Sequence, residues 1–127
     1  MYTILIIDDH KPTLDTLCLI LEAKGYVALG APSSAQAESY FRDKVVDLVI
    51  VDHGLPGITG EVLAAQLKAL RSVPVLMMSG NPELKEKPYS VDLLLPKPQR
   101  VEDLLDSVEY LILESDRELR MRNAAQS

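Results

Sequence analysis

The apolar positions of the chain come in short runs, at 4–7, 26–29, 48–51, 73–78 and 93–95. Most are rich in Val, Ile and Leu, and none alternates cleanly with polar residues. That pattern predicts strands covered on both faces, as in a parallel sheet. Between the runs, apolar residues recur at helical spacing. Leu14, Leu17 and Leu21 share one face with Cys18 beside them, and Gly25 stands where a helix stop is expected. Ser33 and Gln36 have capping-box spacing ahead of Ala37 and Phe41. Leu63, Leu67 and Leu70 mark a third helix that begins near Gly60. Leu104, Val108, Leu111 and Leu119 mark a long last helix over 101–122, with Arg117, Arg120 and Arg122 at the end where cations suit the helix dipole. The segment 81–90 holds Pro82 and Pro88 and has room for at most one turn of helix, around 83–87. The tail 123–127 is expected to fray.

Strands alternating with helices predict an α/β fold. Right-handed crossovers put helices on both faces of a doubly wound, five-stranded parallel sheet. The length of 127 residues fits one domain, and a 47% hydrophobic content can fill its core without disulfide or metal staples. With 13 basic and 19 acidic residues the net charge is −6, which argues against direct nucleic-acid binding by the whole surface. A lone cysteine excludes an internal disulfide and fits a reducing compartment. No apolar run approaches the roughly 18 residues of a membrane span, and the start lacks a basic region before an apolar stretch. A cytoplasmic domain is the expectation, and none of this proposes a function.

Function comes from where the polar residues fall. Asp8 and Asp9 follow the first predicted strand, Asp52 the third, Ser79 the fourth and Lys97 the fifth. Open α/β sheets bind ligands at the carboxyl ends of their strands, where the strand order switches. With order 2-1-3-4-5, the first and third strands are neighbours there and the three aspartates converge. Three carboxylates repel one another, and a hard divalent cation resolves this. Mg²⁺ takes one or two carboxylates, keeps waters and shares a phosphate. Lys97 adds a compact positive charge and Ser79 a hydroxyl donor. These are parts for phosphoryl transfer to a carboxylate, with Asp52 as the nucleophile.

Four pieces carry a family resemblance: Ile4-Leu5-Ile6-Ile7-Asp8-Asp9, the segment from Val51-Asp52-His53-Gly54-Leu55-Pro56 to Gly60, Met78-Ser79-Gly80 and Pro96-Lys97-Pro98. In this order they resemble the receiver domain of two-component response regulators, the CheY-like variant of the flavodoxin-like fold, over residues 3–115. A receiver domain over 1–122 is expected. The resemblance implies that Asp52 is the phosphoacceptor and that Asp9 binds Mg²⁺ (or Mn²⁺) directly, with Asp8 helping through water. It makes the Gly54 backbone carbonyl a further metal ligand. Ser79 and Lys97 would contact the phosphoryl group, and Lys97–Pro98 would be a cis peptide. The donor would be a histidine kinase or a histidine phosphotransfer protein, and the readout a downstream protein or a homodimer. The domain would be a phosphoacceptor rather than a turnover enzyme. Gly54 and Asn81 occupy positions that the resemblance links to phosphoryl lifetime.

Two departures stand out. The aromatic that receivers usually carry three residues before the lysine is Leu94 here, and Ser79 to Lys97 is several residues short. The fourth helix is therefore expected to be short, irregular or missing. These departures support an alternative, a phosphorylation-independent interaction scaffold. His10 and His53 also flank the site and raise the reading of a transition-metal centre with the aspartates. Cys18 reads as a packed core thiol.

Overall fold

In the computed structural model every residue is described except Pro82, Glu83, Lys85, Pro98, Gln99, Ser127 and the side chain of Gln126. The described elements run β1 (Thr3–Ile7), α1 (Lys11–Ala23), β2 (Val27–Ala31), α2 (Ser34–Asp43), β3 (Leu48–Asp52), α3 (Gly60–Leu70), β4 (Val75–Ser79), β5 (Leu93–Pro96) and α4 (Val101–Gln126). All strand pairs are parallel, in the order β2-β1-β3-β4-β5. β3 and β4 are buried along their whole length. β2 and β5 are the edges and remain partly exposed.

The pleat sorts the strand residues into two cores. Leu5, Ile7, Val49, Val51, Val75 and Met77 point to the face covered by α2 and α3, through Phe41, Leu63 and Leu67. Ile4, Ile6, Leu48, Ile50, Leu76 and Met78 point to the face covered by α1 and α4, through Leu17, Leu21, Leu104 and Val108. Because both faces are apolar, the runs cannot alternate, which is why they read as continuous hydrophobic segments.

The helix ends follow local chemistry. Gly25 adopts φ +90° just after α1, a left-handed conformation that side chains resist. The Ser33 side chain accepts from the Gln36 amide at 3.2 Å at the start of α2, and Thr59 accepts from Val62 at 3.3 Å at the start of α3. Cys18 packs partly buried over Gly30, as expected of a core thiol.

Between β4 and β5 no helix occurs among the described residues. Leu84, Glu86 and Lys87 are not helical; the rest of the expected turn and the Lys97–Pro98 peptide involve residues outside those described. The last helix departs from the sequence reading. It runs to Gln126 instead of stopping near 122. Ala124, Ala125 and Gln126 favour helix, and no Gly or Pro interrupts them.

Candidate functional site

The strand register builds the site. Ile7 pairs with Val51, so the next residues, Asp8 and Asp52, emerge side by side. Asp52 pairs with Met78, which places Ser79 one step further along β4. Ser79 pairs with Pro96, so Lys97 follows at the same level. Backbone bonds fix these ends: Asp8 N donates to Ala31 O at 3.2 Å, His53 N to Met78 O at 2.9 Å and Lys97 N to Ser79 O at 2.8 Å.

Asp8, Asp52 and Ser79 are the buried polar residues among those described. Asp9 is exposed. Each of Asp8, Asp9 and Asp52 offers a carboxylate oxygen, and these oxygens lie within 4.8 Å of one another. Lys97 Nζ donates to Asp52 Oδ1 at 2.7 Å, with the Asp52 side chain mostly shielded from solvent. Ser79 Oγ accepts from the Asn81 amide at 3.1 Å. The structure thus brings Asp8, Asp9, Asp52 and Lys97 together, with Ser79 at the adjoining strand end.

Asp8 carries the clearest sign that the cluster suits a cation. Its Oδ1 accepts from the His10 amide at 2.9 Å, but its buried Oδ2 has no hydrogen-bond partner. Burial pushes the Asp8 carboxyl above the usual carboxylate range. The His10 amide opposes this, Asp52 adds to it, Lys97 opposes it, and Asp9 adds a little more. A buried carboxylate oxygen without a donor is costly unless a cation meets it. Three clustered carboxylates, one with an orphaned buried oxygen, fit an oxygen-preferring divalent cation.

The histidines do not join this cluster. Among the described residues the aspartates alone form a group able to hold a metal, and His10 Nδ1 is engaged with Thr13 Oγ1 at 2.7 Å.

Two glycines shape the site. A Cβ on Gly54 would sit 3.9 Å from Asp52 Oδ2, so its absence leaves that oxygen approachable. A Cβ on Gly60 would lie 2.5 Å from the Asp52 carbonyl oxygen. Gly60 N also donates to His53 O at 3.1 Å, so the start of α3 is seated directly on the backbone of Asp52 and His53. Gly60 was visible in the sequence as part of the motif, but its role was not. The contact exists because the loop 53–59 returns the chain onto β3.

The family profile described as the response regulator receiver domain matches residues 4–109. The chain belongs to that family. Its curated relatives include the phosphate regulon transcriptional regulatory protein PhoB of Pseudomonas aeruginosa, 35% identical over 88 residues, covering 67% of this chain and 38% of that protein. Sensory transduction protein RegX3 of Mycolicibacterium smegmatis is 27% identical over 116 residues, covering 88% and 51%. The receiver thus spans about two fifths to one half of these relatives' length. Among solved structures, a CheY-like receiver domain protein from Methanospirillum hungatei superposes with a TM-score of 0.87 at 27% identity, covering 93% of this chain and 98% of that one. A Thermotoga maritima response regulator determined in complex with Mg²⁺ and BeF has a TM-score of 0.80 at 24% identity, covering 87% and 99%, and supports the shared fold. No helix among the described residues of this receiver is long and apolar enough to cross a membrane.

Proposed function

We propose that this receiver accepts a phosphoryl group on Asp52 from a phosphohistidine of a histidine kinase or phosphotransfer protein, and that the modified state changes its binding to a downstream protein. The observation that carries this reading is the shielded Asp52 carboxylate, held 2.7 Å from Lys97 Nζ within the Asp8–Asp9 cluster. One Asp52 carboxylate oxygen attacks phosphorus. The O–P bond forms as the N–P bond breaks, and the imidazole leaves with the electron pair and takes a proton from water.

Asp8, Asp9, Asp52 and the Gly54 carbonyl would hold Mg²⁺ or Mn²⁺. The ion neutralises charge on the transferring group when bound. Lys97 stays paired with Asp52 before transfer and meets the phosphoryl oxygens after it. The Ser79 hydroxyl donates to one of those oxygens. Gly54 leaves room for the donor and for the water that later hydrolyses the acyl phosphate. The chemistry runs once per modification, so the domain is a switch in the cytoplasm rather than a turnover enzyme.

The scaffold reading draws on Leu94 and on the reduced segment before β5. It leaves the orphaned Asp8 oxygen and the Lys97–Asp52 pair without a purpose. Borohydride reduction after treatment with a phosphorylated kinase tests the choice. An acyl phosphate at Asp52 is reduced to the alcohol at that position, whereas a chain recovered unreduced at Asp52 contradicts the proposal.

A further inference from the structure

The first turn of α3 lies between the two segments that carry Asp52 and Lys97. On its inner side Gly60 rests on the strand that ends in Asp52. Its amide donates to His53 O at 3.1 Å, and a Cβ there would reach the Asp52 carbonyl oxygen at 2.5 Å. On its outer side the Ser90 hydroxyl donates to the next carbonyl, Glu61 O, at 2.8 Å. A carbonyl oxygen has two lone pairs, so Glu61 O can accept from Ser90 and keep its place in the helix. Ser90 is half-buried in a turn that Val91 N closes on Pro88 O at 3.0 Å. That turn leads into β5, which ends next to Lys97.

No helix separates β4 from β5 among the described residues, so α3 meets the segment before β5 directly. Two side-chain bonds are described between them. Ser90 ties the end of α3 nearest the site, and Lys68 Nζ ties the far end to Asp92 Oδ2 at 2.6 Å. The loop 53–59 does little to fix the first turn, since Leu55 alone of its residues is buried.

We propose that Ser90 is a positioning residue for phosphorylation of Asp52, a role that rests on Asp52 being the phosphoacceptor. Its hydroxyl holds the first turn of α3 down on the backbone of Asp52 and His53. That seat keeps the Asp52 carboxylate 2.7 Å from Lys97 Nζ, on the strand that Ser90 itself leads into. Without the hydroxyl the turn lifts from β3 and the carboxylate loses its aim, and a shift of about 1 Å in a reacting group can cost up to about 10² in rate. Lys68 lies about 10 Å further along α3, so losing its tie leaves the seat in place.

The test compares Ser90→Ala, Ser90→Thr and Lys68→Met in the full chain, with folding checked by circular dichroism. Intact mass follows modification by acetyl phosphate with Mg²⁺. Ser90→Ala should be modified about tenfold more slowly. Ser90→Thr, which keeps the hydroxyl, and Lys68→Met should stay within about threefold of wild type. Amide hydrogen exchange at Gly60 reads the seat without any phosphorylation, and should be about tenfold faster in Ser90→Ala alone. A Ser90→Ala chain modified at the wild-type rate, equal slowing in Lys68→Met, or no rescue by Ser90→Thr overturns the proposal. An unmodified wild type overturns the reading of Asp52 instead, and Gly60 exchange then decides by itself whether Ser90 holds the seat: unchanged protection in Ser90→Ala shows that it does not.

Discussion

Lys97 Nζ and Asp52 Oδ1 are 2.7 Å apart, which joins the end of the edge strand β5 to the end of the central strand β3 across β4. The pair places a positive charge where a phosphoryl group transferred to Asp52 would develop negative charge. Lys97→Ala is expected to slow phosphorylation by about 10²-fold, the typical effect of removing one preorganised stabilising group. Rates with a small phosphodonor, followed by intact mass, check this. A rate within twofold of wild type would contradict the role.

Asp8 makes the metal-free chain sensitive to pH. Its folded-state carboxyl titrates above the ordinary range because it is buried, while in the unfolded chain it titrates within that range. Between the two values the folded state binds more protons. Stability therefore falls as pH rises across that window, and Asp8 adds no slope above it. Asp8→Asn removes this slope and the buried orphaned charge. It should stabilise the metal-free chain at neutral pH by about 1–3 kcal/mol. Mg²⁺ should raise the wild-type unfolding free energy by about 2.7 kcal/mol at a hundredfold excess over Kd, and should do so far less in Asp8→Asn. Urea titrations with chelator and with Mg²⁺ measure both effects. An Asp8→Asn chain that is less stable without metal would contradict the account.

Gly60→Ala sets propensity against sterics. Alanine improves the first turn of α3 by at most about 1 kcal/mol. Its Cβ, however, would meet the Asp52 carbonyl oxygen at 2.5 Å, a backbone contact that a rotamer change cannot relieve. Overpacking costs about 1–3 kcal/mol, so the net effect should be a lower denaturation midpoint. Displacement of Asp52 should also reduce phosphorylation of the fraction that remains folded. Unchanged stability with full phosphorylation would show that α3 gives way without disturbing the site.

Tyr89, the aromatic residue nearest in sequence to Leu94, lies outside the core. Its side chain is fully exposed, whereas Leu94 is partly buried against the α2–α3 core. Tyr89→Ala should change stability by less than about 0.5 kcal/mol. Leu94→Ala should lower it by more. Equal effects in thermal denaturation would contradict this placement.

The sheet and its site were legible in the sequence for one reason. The runs 4–7, 48–51 and 73–78 are apolar on both faces, and polar residues meet their ends. Parallel register then brings Asp8, Asp52, Ser79 and Lys97 together. What stayed hidden depends on how the chain turns after a strand. Asp8 and Asp9 look equivalent in sequence, yet Asp8 is buried with an orphaned oxygen and Asp9 is exposed. Gly60 lies against the backbone of Asp52 because of a seven-residue return loop that no periodicity encodes. The arginine cluster at 117–122 suggests too early an end for α4, because the residues beyond it still favour helix.

The central claim is phosphorylation of Asp52, and intact mass after incubation with a small phosphodonor tests it most directly. Wild type should gain the mass of one phosphoryl group in the presence of Mg²⁺ and not in chelator, and Asp52→Asn should gain none in either. An unchanged wild-type mass under conditions that modify another receiver, or equal modification of Asp52→Asn, would contradict the account.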